Sequence, residues 1–434
     1  MHAARRQAAW RALSLCARLS ARLSACLCAC LGVAGMASAQ AVPDDDGPLL
    51  RFGLTTGVTA SSNRGLDTDS LGSTTELTSQ LDFLMRFATP IQALELSGDL
   101  GLRSVSGAEA GSLPSGLYEP ALTLGYDRQS RDARLDVDLF LRERDVSSSE
   151  LQFDPDAADF DLLEDTGTQR RFGADVALEL RRRAPFGITL SAGYTGLRYS
   201  DTDDPDLTDQ DRFRVGARFR FDLNPATQAT LNARFSTFED FGDTEGRRDT
   251  FSLDGSLRRS MTNGSATLRA NATDTEDGTR YTLSAGRTLE TELWEVTGVL
   301  GLTRGVDGNV DPTGELGLTR ALPNGELTAS LARTVRSNTD DEEQEVTTLR
   351  LGYATQLTPL TAFNASYAFT DRDAADDGDD GSFSVLSVGV QHSLTRDWSL
   401  NVGLQHRIND DATSGKASDS QLSITVRRSL LVRR

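Results

Sequence analysis

Between Arg212 and Phe235 the chain reads RFRVGARFRFDLNPATQATLNARF, and its polarity changes at almost every residue. Phe213, Val215, Ala217, Phe219, Phe221 and Leu223 fall on one side of a two-residue period. Arg212, Arg214, Arg218, Arg220 and Asp222 fall on the other. Side chains of a strand alternate between faces, so this is a strand with one apolar face and one ladder of guanidinium groups, whereas a helix would mix the two sets around its axis. Asn224-Pro225 predicts a tight turn, and the second half alternates again through Ala229, Leu231, Ala233 and Phe235.

The same grammar runs from residue 50 to the C-terminus in segments of about 8 to 12 residues, the length of a tilted strand crossing a bilayer. Connections of two kinds separate them. Short ones carry Pro or Asn, as at Thr89-Pro90, Thr262-Asn263-Gly264 and Leu322-Pro323-Asn324-Gly325. Longer, mostly acidic ones alternate with these, at 61–74, 106–116, 147–169, 201–211, 239–249, 274–279, 305–312, 338–345, 371–381 and 409–418. Nine short turns interleaved with ten long loops predict twenty strands, within a range of 18–22, with both termini at the turn end. The fold class expected is all-β: a transmembrane, antiparallel, up-and-down β-barrel with short periplasmic turns and long acidic extracellular loops. No apolar run outside the N-terminus approaches a spanning helix, and in lipid only helices and closed barrels satisfy every backbone hydrogen bond.

Composition refines this. Residues 1–39 read as a cleaved signal peptide: Arg5, Arg6, Arg11, Arg18 and Arg22 precede an apolar stretch from Leu23 to Met36 and an Ala37-Ser38-Ala39 cleavage site. Residues 40–49 are expected as a short periplasmic lead and 50–434 as the barrel. Cleavage takes away five arginines and no acid, moving the formal charge from −19 to −24. It also takes all four cysteines, so the remainder has no disulfides. A strongly acidic chain repels phosphates, which argues against nucleic acid as a partner.

On these patterns, residues 50–434 resemble the broad class of bacterial outer-membrane β-barrel proteins, porin-like in size and layout. One departure is the terminus Leu430-Leu431-Val432-Arg433-Arg434, where such proteins end on an aromatic residue read by the barrel-insertion machinery. The resemblance implies an outer-membrane location among lipid and lipopolysaccharide, passive diffusion of small hydrophilic solutes, and compatibility with a homo-oligomer. A non-conducting structural or assembly barrel, linked to exopolysaccharide export or cell-surface attachment, is the alternative.

Candidate chemistry follows from parity. With the apolar face to lipid, the pore lining comprises Arg212, Arg214, Arg218, Arg220, Arg234 and Arg181 on the basic side, and Asp136, Asp138, Asp175 and Glu179 on the acidic side. A barrel of this width cannot be filled by side chains alone. In general porins the third loop folds inward, so the resemblance offers Glu150, Asp154, Asp156, Asp159 and Asp161 as a constriction facing the arginines. Catalysis is not expected. His392 and His406 are the only histidines after cleavage, both with outward parity, and His392-Ser393 lacks the partners of a membrane lipase. No cofactor or metal is expected either, since Asp307-x-Asn309-x-Asp311 begins like a calcium loop but meets Pro312 where glycine is required.

Overall fold

The computed structural model of the protein describes residues 47–108, 115–146, 167–202, 207–242, 246–337, 343–374, 380–411 and 415–433. Twenty strands make up one antiparallel sheet. They are β1 (Gly47–Ser61), β2 (Thr74–Thr89), β3 (Gln92–Gly107), β4 (Gly116–Gln129), β5 (Ala133–Asp145), β6 (Thr168–Leu180), β7 (Phe186–Ser200), β8 (Gln210–Asn224), β9 (Thr227–Asp240) and β10 (Gly246–Met261). The second half holds β11 (Gly264–Thr275), β12 (Gly278–Glu290), β13 (Trp294–Arg304), β14 (Val310–Leu322), β15 (Gly325–Ser337), β16 (Glu343–Thr358), β17 (Thr361–Ala374), β18 (Gly381–Ser393), β19 (Trp398–Asp411) and β20 (Gly415–Arg433). Each pairs with its neighbours in sequence, and β20 returns to β1 in a ladder from Leu49↔Arg433 to Ser61↔Gln421. Closure leaves no sheet edge to pair with another chain or to face lipid unsatisfied.

The strand count is the one the alternation predicts, but the strands are longer, from 11 to 19 residues. They extend into segments expected as loops: Asp371–Ala374 belongs to β17, Asn409–Asp411 to β19 and Gly415–Ser418 to β20. A hydrogen-bonded ladder needs no lipid to continue, and beyond the bilayer both faces can be polar, so the alternation stops before the strand does. Connections at the predicted loop end therefore run from the two residues between β11 and β12 upward, rather than being uniformly long. At the start of the chain, Gly47, Pro48 and Leu49 belong to the first strand rather than the lead, paired with Ala88, Phe87 and Arg86. The signal segment lies outside the described residues.

The interior holds almost no oil. Among the described residues the buried hydrophobic side chains are Leu66, Val146, Val346 and Ala417, while Phe213, Val215, Phe221, Leu231, Leu253 and Leu283 are exposed on the outside. The apolar face is turned outward, as a bilayer requires. Aromatic residues collect where the apolar band ends. At the turn end, Phe186 packs on Phe219 and Phe221, Tyr353 on Phe363, and Trp294 and Trp398 open their strands beneath the guanidiniums of Arg320 and Arg428. At the loop end, Tyr194 packs on Phe172 beside Phe213. Phe186 to Tyr194 on β7 and Phe213 to Phe221 on β8 each span eight residues. That is about 27 Å along a strand and about 20 Å along the barrel axis at a tilt of about 40°. Flanking residues bring the band to the height of a bilayer's apolar layer.

One irregularity changes the reading of β4. Asp99 pairs with Ala121 but Gly101 pairs with Tyr118, so β4 carries one extra residue at Glu119-Pro120, with Glu119 at a φ of 48°. The bulge reverses parity: Leu117 and Leu122 are five residues apart, yet both are exposed among the outward-facing leucines.

Candidate functional site

Twenty strands spaced about 4.8 Å apart and tilted about 40° enclose a cylinder of about 40 Å backbone diameter, too wide for wall side chains to meet across it. The lumen is therefore where function has to be sought. Two recesses in its wall stand out, and register shows how each is built.

The larger, of 760 Å³, lies along β5 to β12. One inward row reads Asp136–Ala177–Ser191–Gly216–Arg234–Ser252–Thr273–Arg280 across eight successive strands. The next row toward the loop end reads Asp138–Asp175–Gly193–Arg214–Ser236–Thr250. The row above places Phe238 between Arg212 and Arg248, whose guanidinium carbons stand 5.4 and 5.7 Å from the ring centroid. Carboxylates thus sit on β5 and β6, guanidiniums on β8 to β12, and glycine and small hydroxyl residues form the floor. The two flanks meet loosely, with Arg214 Nη2 3.8 Å from Asp175 Oδ1. Arg336 of β15 reaches the margin of the same recess.

Six of the ten residues expected to line the pore meet in this recess: Arg212, Arg214, Arg234, Asp136, Asp138 and Asp175. The other four lie toward the turn end. Arg218 is exposed, in the row between Thr189 and Asn232. Arg220 serves a different purpose from the one expected: its Nη2 donates to the carbonyls of Arg182 at 2.8 Å and Ala184 at 3.1 Å, and its Nη1 meets Asp222 at 2.5 Å, so it pins the β6–β7 turn. Glu179 pairs with Arg182 at 3.2 Å. Arg181 departs from the lumenal ladder. Its φ of 56° turns it away from strand parity, and its guanidinium lies 5.3 Å from the ring of Phe186, whose register partner Phe221 faces outward. The constriction-loop candidates Glu150, Asp154, Asp156, Asp159 and Asp161 lie outside the described residues.

The second recess, of 450 Å³, is bounded by β1 to β4 and β18 to β20 and includes Arg64, Glu76, Arg103, Tyr118 and Arg407. Here the loop 62–73 is tied to the wall. The Asp419 side chain, fully enclosed, accepts from Ser61 Oγ at 2.6 Å, Asn63 N at 2.9 Å and Ser62 N at 3.0 Å through one oxygen, and pairs with Arg407 at 2.7 Å through the other. Arg407 also donates to the Arg64 carbonyl at 3.0 Å, Arg64 pairs with Glu76, and Asn63 Nδ2 donates to the Asp67 carbonyl at 2.8 Å. Burial alone raises the pKa of Asp419. The bonds from Ser61, Arg407 and the Asn63 N–H, with the Arg407 charge, outweigh it and hold the carboxyl below the usual aspartate value. This residue lies at the loop end, beyond the outward apolar series that begins at Leu422. Nothing in the alternation pattern marks it. The one sequence signal is the density of Ser and Asn at 61–63.

Among the described residues the two histidines are bound to hydroxyls across the sheet: His392 Nδ1 to Thr361 Oγ1 and His406 Nδ1 to Ser420 Oγ, both at 2.9 Å. The Ser393 N–H goes to the Leu360 carbonyl at 2.8 Å. Among the described residues no cluster of metal-ligating side chains occurs.

No protein-family model matches the sequence, and no curated protein matches it. Solved structures do share its fold. The chain is similar to the siderophore receptor PirA of Pseudomonas aeruginosa, with a TM-score of 0.52 and 10% identity over 90% of this chain and 82% of that one. It is similar to PirA of Acinetobacter baumannii, with a TM-score of 0.53 and 10% identity over 90% and 81%. It is also similar to the ferric enterobactin receptor PfeA of Pseudomonas aeruginosa, with a TM-score of 0.55 and 10% identity over 91% and 82%. With its lipid-facing belt and closed antiparallel sheet, the chain is a transmembrane β-barrel of the kind found in bacterial outer membranes.

Proposed function

We propose that the protein is an outer-membrane channel through which small hydrophilic solutes diffuse passively. The observation that carries this reading is the inversion of polarity: the large apolar side chains are outside, and the wide interior is walled by charges, hydroxyls and glycines with no packed core among the described residues. An interior of that chemistry holds water, and water-filled barrels conduct ions and solutes down their gradients. The carboxylate and guanidinium flanks supply a transverse field that orients polar solutes, a role the wall itself can fill whatever the 147–169 loop does. The chain needs no catalytic group for this. The test is single-channel recording on the full chain refolded into a planar bilayer. Stepwise, ohmic openings are expected; a bilayer that stays silent with correctly folded protein would favour the sealed structural or assembly barrel.

A further inference from the structure

The recess on β5 to β12 has a composition that a general diffusion pore does not require. Of the described residues lining it, six are arginines (Arg212, Arg214, Arg234, Arg248, Arg280 and Arg336) and three are aspartates. Glu343 of β16 meets Arg280 at 3.5 Å, so the local balance is an excess of two positive charges, enclosed within a chain whose overall charge is −19. Fixed charges on a concave, low-dielectric wall focus their field into the cavity, so this patch concentrates anions even though the molecule as a whole repels them.

The arrangement also favours several-point recognition. Arg214 and Arg234 stand diagonally on the neighbouring strands β8 and β9, and Arg280 lies on β12, about 14 Å further round the wall. A single carboxylate could engage one guanidinium and would then exchange freely with water. An anion carrying several charged oxygens could engage the neighbouring Arg214 and Arg234 at once. Between the arginines lie Ser236, Thr250, Ser252 and Thr273, whose hydroxyls can donate to further oxygens. Phe238 sits in register between Arg212 and Arg248 and restrains both guanidiniums by ring contact, which reduces the rotamer freedom lost on binding.

We infer that this recess is a binding station for small organic or inorganic polyanions bearing two or more carboxylate or phosphate groups, which enter the channel from the bulk and pause there. The inference rests on the channel reading for its physiological sense, but the site can be tested without it.

Full-length protein is recorded in planar bilayers while citrate or inorganic pyrophosphate is added to one side, with spermidine as the cationic counterpart. Either polyanion is expected to interrupt the current reversibly in the micromolar to millimolar range, with block weakening as salt rises. The citrate and pyrophosphate arms distinguish carboxylate from phosphate preference. Arg234→Ser and Arg248→Ser should each raise the half-blocking concentration by about tenfold, the weakening expected for one lost charge-assisted hydrogen bond. Arg396→Ser, which removes a charge from the β18–β19 turn, should leave it unchanged. Equal block by spermidine, or equal block in all three variants, overturns the site. Should the protein fold but never conduct, the channel reading falls, and calorimetric titration of the detergent-solubilised full chain with pyrophosphate decides the site alone. Saturable heat lost in Arg234→Ser sustains it; no heat in the parent protein sinks it.

Discussion

Replacing Asp419 by alanine should free the 62–73 loop from the lumen wall while leaving the barrel closed. The carboxylate is wholly enclosed and accepts from Ser61, Ser62 and Asn63, and Arg407, with a side chain only 8% exposed, faces it at 2.7 Å. Truncation removes those acceptors and strands the guanidinium in an enclosed site, a loss of about 3–5 kcal/mol for a broken buried pair. The loss is local because the β1–β20 ladder from Leu49↔Arg433 to Ser61↔Gln421 does not pass through the carboxylate. Loop opening should therefore rise by roughly two to four orders of magnitude, with little change in the midpoint of global unfolding. Trypsin reads this directly at Arg64, which pairs with Glu76 in the intact structure and is released when the loop opens. Asp419→Asn keeps the shape and one acceptor and should fall between. The pH dependence has a definite sign. The folded-state pKa is depressed, so the anchor is fully present above the unfolded aspartate value and is lost only as pH falls through the lower folded value. Loop opening, read as amide hydrogen exchange of residues 62–73 corrected for the intrinsic rate at each pH, should thus be flat from about pH 8 to pH 5 and rise below about pH 4. An Asp419→Ala protein cleaved no faster than its parent refutes the anchoring argument, and one whose whole barrel melts early refutes its locality.

Three further outcomes follow from the same geometry. Leu190→Lys, on the lipid face opposite Ala217, should cost about 2–4 kcal/mol in urea unfolding from vesicles, whereas Thr189→Lys, one residue away and flanked by Glu179 and Arg218 on the lumenal face, should cost less than about 1 kcal/mol. Arg218→Glu should move the reversal potential in a salt gradient toward cations, while Arg220→Ala should leave selectivity nearly unchanged and lower stability by about 2–3 kcal/mol through loss of its carbonyl bonds. Gly264→Ala should destabilise the β10–β11 hairpin by at least about 1–3 kcal/mol, measured by equilibrium unfolding, because φ is 120° there and a Cβ would meet the Thr288 carbonyl oxygen.

Much of the barrel is legible in the chain because lipid imposes a two-residue period that few other environments demand of nearly every strand. Phe213 to Leu223 announces its own sidedness, and the Pro and Asn turns count the strands. Legibility fails where lipid stops dictating. The upper halves of β17, β19 and β20 are polar on both faces, so Asp371–Ala374 and Gly415–Ser418 read as loop although they are paired. Arg181 reads as lumenal by parity and is turned away by one backbone angle. The Asp419 anchor joins residues more than 350 positions apart, and only closure of β20 on β1 brings them together.

Parity and register carry different information, and the recess on β5 to β12 depends on the second. Parity says that Asp136, Asp175, Arg214 and Arg234 all point inward, which describes a mixed and featureless lumen. Register adds height and order around the wall. It places Asp138 beside Asp175 and lines Arg214 up with Ser236, so carboxylates gather on one flank and guanidiniums on the other, the two meeting at Asp175 and Arg214. Arg427 and Asp82 close a 3.1 Å pair across β1, whereas Asp175 and Arg214, set the same way across Gly193 of β7, stand 3.8 Å apart. Keeping Asp138 and Asp175 directly opposite each other on β5 and β6 costs electrostatic energy that the loose Arg214 contact offsets only in part. That cost is consistent with a lumen whose charge pattern serves solutes rather than stability, which is why the polyanion titration is the experiment that bears most directly on what the protein does.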